Sequence, residues 1–302
     1  MLSDANRLGV RVLLGQSFAK DRPGDDPILK TVKDSAPAPI VPRARGTASL
    51  QVKARGGESA IRKLQTSGCM KLLFPRCELG IEAITLNTAG GLTGGDRIQA
   101  EYAVEEGAHL TITTQSAERL YRAQSGYAGV ETNLTVAPGG SMFWMPQELI
   151  LFEGSALRRK LNVELGDAAR LIVVEPVIFG RLDMGERITS GLLDDRVRIT
   201  RNGHPIYADA IHMSGDLDAQ LARPAVADRK HAMATLLYHA PDALARADAV
   251  RDLLPQTAAV SKMDETFLTL RIVASDGFEL RKTLLPVLDL LSQQTLPISW
   301  RL

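Results

Sequence analysis

Apolar and polar residues alternate along most of the chain beyond residue 45. Ile98, Ala100, Tyr102 and Val104 are separated by Gln99, Glu101 and Ala103, and Leu110 and Ile112 are flanked by threonines. Val130, Thr132, Leu134 and Val136 repeat the pattern, as do Leu268, Leu270 and Ile272. A period of two with β-branched residues predicts half-buried strands. Turn signals break the runs at Gly56-Gly57, Glu105-Glu106-Gly107, Pro138-Gly139-Gly140, Asn202-Gly203 and Asp276-Gly277. Asn-Gly and Asp-Gly are hairpin signals, because a type I′ turn needs positive φ at both central residues.

A weak internal repeat lies within this pattern. Val104 and Leu110, Val136 and Met142, and Leu165 and Leu171 each bracket a five-residue turn segment. Each second strand then runs into polar residues, at Gln115, at Gln147-Glu148 and at Glu175. Recurring units of this kind predict stacked β layers. Helical spacing occurs at Met233, Leu236, Leu237 and Ala240, with Asp228 as a cap and Pro241 as a stop, and a second helix is expected over 242–254. Leu280, Leu284, Leu288 and Leu291 suggest a further helix that Pro286 should break. The expected fold is mainly β: a layered, β-solenoid-like single domain over 46–302, with a small two-helix insertion at about 228–254. Residues 1–45, with five prolines and mixed charge between 20 and 45, read as a flexible tail.

Composition narrows the classes. Over 302 residues the net charge is +1, so no global field draws the protein to nucleic acid or an anionic membrane. The longest apolar runs, at 142–145, 149–152 and 171–174, are far short of the ~20 residues a spanning helix needs. No apolar leader with a small-residue cleavage site is readable, and two cysteines make no disulfide framework, so a cytoplasmic location is expected.

The glycine-rich segment NTAGGLTGGD follows an apolar strand and contains Gly90, Gly91, Gly94, Gly95 and Asp96. It lacks the Gly-Lys-Ser/Thr ending of a nucleotide loop and leads into a strand, so tight turns and close approach between layers are the better reading. Cys69 and Cys77, His204 and His212, and His231 and His239 are each eight apart, which gives no local metal signature. No G-x-S-x-G or visible triad supports nucleophilic catalysis. Glu118, Glu148, Glu175 and Asp209 stand beside hydrophobic strand residues. A buried carboxylate needs a partner, water or a metal, and Arg119, Arg122, Arg158 and Arg181 are candidate partners.

The segments LNTAGGLTGGD (86–96), TTQSAERLYR (113–122), MPQELILFEGSALRRKL (145–161) and VEPVIFGRLDMGE (174–186) closely resemble the UreD family, also called UreH, of urease accessory proteins. DRVRITRNGHPIYADAI (195–211), AMATLL (232–237), GTASLQVKARGG (46–57) and MKLLFPR (70–76) extend the likeness in the same order. The resemblance implies a largely β, non-enzymatic nickel-insertion chaperone with two main helices, working with UreF, the GTPase UreG and apo-urease, in dimeric complexes. It also implies an internal passage for nickel(II), bound transiently and not as a tight cofactor. Nickel favours imidazole and thiolate over carboxylate, so isolated Glu118, Glu148, Glu175, Asp209, Gln115 and Gln147 would hold it weakly and release it. Stacked repeat units would set those groups ~4.8 Å apart along a sheet or ~10 Å apart between sheets. Two other classes remain at this stage: a scaffold that nickel never touches, and a β-solenoid hydrolase using acidic residues.

Overall fold

The computed structural model describes residues 42–181 and 184–301, so nearly all of the expected tail lies outside the described residues. In chain order the strands are β1 (Arg45–Arg55), β2 (Glu58–Gly68), β3 (Met70–Leu73), β4 (Ile81–Asn87), β5 (Arg97–Val104), β6 (His109–Thr114), β7 (Glu118–Leu120), β8 (Ala128–Val136) and β9 (Ser141–Met145). They continue with β10 (Leu149–Leu151), β11 (Ala156–Leu165), β12 (Arg170–Phe179), β13 (Gly191–Arg201), β14 (His204–Gly215), β15 (Ala232–His239), β16 (Ala258–Asp264) and β17 (Phe267–Ala274). The helices are α1 (Leu217–Leu221), α2 (Ala243–Asp252) and α3 (Gly277–Ser292). No helix among the described residues is long and apolar enough to cross a membrane.

The protein is mainly β, in a solenoid-like stack of two sheets. The first sheet has the order β14-β13-β11-β8-β5-β1-β2. The second has the order β16-β17-β15-β12-β9-β6-β4-β3, with β7 and β10 paired beside β12. From β4 to β13 the chain winds between them: β5, β8, β11 and β13 enter the first sheet, and β4, β6, β9 and β12 the second. Neighbours within each coiled series are parallel.

The repeat seen in the sequence is this winding. Val104 pairs with Val136 and Val136 with Leu165 in the first sheet. Leu110 pairs with Met142 and Met142 with Leu171 in the second. The five-residue segments are therefore arches that carry the chain from one sheet to the other, not hairpin turns. Asn202-Gly203 does close a hairpin, between β13 and β14, with φ of 50° and 76°. Asp276-Gly277 does not: Asp276 caps α3 by accepting from the Glu279 N–H at 2.9 Å.

The helix expected over 228–240 is instead strand β15, antiparallel to both β12 and β17. Both of its faces are buried, so apolar residues recur without alternating and mimic helical spacing. Met233 and Leu237 face the first sheet, while Ala234, Leu236 and Tyr238 face the helices. α2 matches the second half of that expectation. α3 runs unbroken through Pro286, which lies with Lys282, four residues before it, on the exposed side of the helix. One core fills the space between the sheets, and a second lies between the second sheet and α2, α3 and Trp300.

Candidate functional site

The strand pairing of the second sheet slips at the residues where the repeat units turn polar. Ser141 pairs with His109, an offset of 32, but Leu149 pairs with Glu118, an offset of 31. Arg170 pairs with Ser141, an offset of 29, but Val177 pairs with Leu149, an offset of 28. One extra residue is thus accommodated between β6 and β7 and another between β9 and β10. Pro146 has no N–H to give to the ladder, and bulges of this kind bend a strand and re-aim its side chains. The bulged residues are pinned from outside. Trp300 donates through Nε1 to the Met145 carbonyl at 2.9 Å, the Gln147 N–H donates to Thr114 Oγ1 at 2.9 Å, and Arg281 of α3 donates to Gln147 Oε1.

A cavity of about 360 Å³ opens between the sheets at this slip. Asn87, Gln115, Glu118, Trp144, Gln147 and Glu175 line it, and Tyr102, Thr132 and Arg159 face them from the first sheet. Glu118 has no arginine partner among the described residues: Asn87 Nδ2 donates to its two oxygens at 3.4 and 3.3 Å. Burial pushes its pKa up to about 7, against the smaller opposing effect of Asn87.

Deeper in, three charged side chains form one group. Trp144 Nε1 donates to Glu175 Oε1 at 2.6 Å, and Arg159 is ion-paired to Glu175 Oε2. The same guanidinium grips Asp195 with both teeth of its fork, Nε to Oδ1 at 2.9 Å and Nη2 to Oδ2 at 2.6 Å. Side-chain exposures of 14% for Arg159, 5% for Glu175 and 6% for Asp195 make this an interior group. Burial raises the pKa of Glu175, opposed by Arg159 and reinforced by Asp195.

The expected site residues therefore fall into different settings. Gln115, Gln147, Glu118 and Glu175 meet at the cavity. Glu148 lies outside its lining, and its carboxylate is 3.6 Å from Arg281. Asp209 is bound by Arg271 across the two sheets, at the far edge of the interior. The arginines that hold these acids are Arg159, Arg271 and Arg281; of those suggested by sequence, Arg119 lines the cavity, while Arg122, Arg158 and Arg181 face Glu153, Asp194 and Glu186. Among the described residues no three His, Cys, Asp or Glu side chains cluster so as to hold a metal ion.

The glycine loop joins β4 to β5 beside the cavity. Gly90, Gly91 and Gly95 have positive φ, and a Cβ on Gly91 would lie 2.4 Å from the Tyr121 ring. Asp96 is buried and accepts from the Ala44 and Thr93 N–H groups at 2.7 and 2.8 Å, which ties the loop to the start of β1.

Fold and site together define a two-sheet β-coil protein with a set of polar side chains held between the sheets. The family model for the UreD urease accessory protein matches residues 44–300, and the chain belongs to that family. It is 46% identical over 262 residues to the urease accessory protein UreD of Roseobacter denitrificans, covering 86% of this chain and 96% of that protein. It is 46% identical over 253 residues to that of Ruegeria pomeroyi, covering 83% and 98%. To that of Brucella suis it is 39% identical over 263 residues, covering 85% and 94%.

Proposed function

We propose that this protein is a non-enzymatic chaperone of urease maturation. It works in the cytoplasm with UreF and the GTPase UreG, in a dimeric complex, and passes nickel(II) through its interior to apo-urease. The observation that carries the reading is the cavity between the sheets with Glu118 on its wall. A partly buried carboxylate without a cationic partner attracts a cation, and with the Asn87 amide as the side chain that bonds it the hold is weak. Weak binding suits cargo that must leave. Gln115 and Gln147 flank the same cavity, and Glu175 closes its inner side.

The experiment is Glu118→Gln, co-produced with UreF, UreG and urease. The expected result is an intact complex and urease with several-fold less nickel, read by metal analysis of the purified enzyme. Unchanged nickel content would remove Glu118 from the route. The scaffold reading has its own support: Glu148, Glu175 and Asp209 are each matched to an arginine, as structural carboxylates are. It predicts that Glu118→Gln delivers nickel normally. The hydrolase reading draws no support from the cavity, where Glu118 and Glu175 are the lining acids and Glu175 is engaged by Arg159 and Trp144.

A further inference from the structure

Polar side chains cross the whole space between the sheets in a single line. In the second sheet Glu175 pairs with Thr235 and Thr235 with Arg271, so all three point toward the first sheet. Facing them are Arg159 and Asp195, paired neighbours on β11 and β13, and then Asp209 on β14, which binds Arg271. The line begins at the cavity with Glu118, where Ser116 and Arg119 are exposed. It ends at the Asp209–Arg271 pair, whose side chains are 23% and 37% exposed. Arg159 stands in the middle.

We propose that Arg159 is the gate of this interior: its guanidinium is a resident cation in a two-carboxylate position between Glu175 and Asp195, and a divalent cation moves on toward Asp209 only by displacing it. The inference rests on reading the interior as a cation route.

The argument is one of charge and geometry. A guanidinium does not lose its proton, so Arg159 cannot be neutralised in place and must move. With both acids ionised the group of three carries a net −1. A divalent ion in place of the guanidinium brings it to zero, whereas a monovalent ion changes nothing, and buried charge is tolerated where it is balanced. The gate therefore favours divalent over monovalent cargo. Asp195 accepts two hydrogen bonds from Arg159 while Glu175 meets it as an ion pair alone, so the contact that faces the cavity is the smaller of the two and is the first to open. The adjoining cavity gives the displaced side chain room. Lysine could not serve equally, because a point ammonium does not span two carboxylates as the planar fork does.

The test is calorimetric titration of the full-length chain with Ni²⁺ alone. Arg159→Met is expected to bind one ion about ten-fold tighter than wild type or better, because the two carboxylates are left unneutralised. Adding Glu175→Gln or Asp195→Asn should remove the gain. A folded Arg159→Met chain with wild-type affinity would overturn the proposal, and so would a gain that survives both added changes. If Arg159→Met does not fold, Arg159→Lys replaces it. Its shorter ammonium frees one carboxylate, so its affinity should exceed wild type, and equality overturns the gate. The route reading fails separately: it is sunk by normal nickel delivery in Glu118→Gln, a result that leaves the titration of the Arg159 variants unaffected.

Discussion

His109 sits on β6 with Ser141 Oγ 2.8 Å from Nδ1, Thr111 Oγ1 2.8 Å from Nε2, and the Phe143 ring edge-on at 4.6 Å. Burial lowers its pKa to about 4. The unfolded chain takes up this proton near pH 6.5, and the folded protein resists it until about pH 4. The stability tied to the neutral ring is therefore fully present above pH 6.5 and lost as pH falls toward 4, by about 3 kcal/mol. Urea midpoints at pH 7 and pH 4.5 should fall further for wild type than for His109→Gln, which has no proton to gain; equal falls would show that the ring is not held neutral. Residue parity could have revealed more of the interior than the acids alone did. Arg159 shares its side of β11 with Leu157, Leu161 and Val163, and Asp195 shares its side of β13 with Leu193, Val197 and Ile199. A charged residue in phase with core positions points inward and needs a partner there. The partner's identity was not legible, because Glu175 and Arg159 lie on opposite sheets and no local spacing joins them.

At the scale of elements, the strands, the hairpin at Asn202-Gly203 and helix α2 follow from local pattern, and β15 does not. Its neighbours on both faces decide its conformation, and a short apolar run cannot announce how many faces will be covered. The slips between β6 and β7 and between β9 and β10 were equally hidden. They emerge only when the pairing partners are known, although Pro146 marks one of them. In the loop between β4 and β5 the constraint differs from one glycine to the next. At Gly94 the constraint is contact and not torsion: a Cβ there would lie 2.2 Å from the Ser125 carbonyl oxygen and 2.8 Å from the Ala123 Cβ. At Gly90 the space is open and φ is 77°, so the constraint is torsional. Gly94→Val should lower stability by about 1–3 kcal/mol or more by overpacking, and Gly90→Ala by about 1 kcal/mol through strain. Thermal melts of the two variants would check the order, and a Gly94→Val protein as stable as wild type would contradict the packing.

For the whole molecule, coiling sets where apolar surface is covered and where it is not. The apolar stretch at 142–152 looks adhesive in sequence. In the fold Met142, Phe143, Met145, Leu149 and Leu151 are buried in the second sheet, so that stretch is no source of association. Exposed apolar residues lie instead at the outer strand of the first sheet, among other places. β2 closes the first sheet with eleven residues, while β3 closes the second with four, so among the described residues the outermost layer of the inter-sheet core is left without a lid. Ile61 pairs with Val52 and Leu64 with Leu50, both core positions, yet Ile61 and Leu64 are 39% and 47% exposed. Arg62 and Lys63 on β2, together with the bulge at Gln51/Val52, blunt the edge against strand pairing, but they do not cover the side chains that face inward. The isolated chain should therefore self-associate with rising concentration through this end. Ile61→Lys with Leu64→Lys should reduce that association in light scattering at fixed concentration. Because both positions are part-exposed already, the double change should cost less than about 2 kcal/mol in a denaturant melt. Association that persists undiminished in a folded double variant would place the adhesive surface elsewhere on the molecule, with exposed Phe278 and Ile298 on the helical side as the next residues to change.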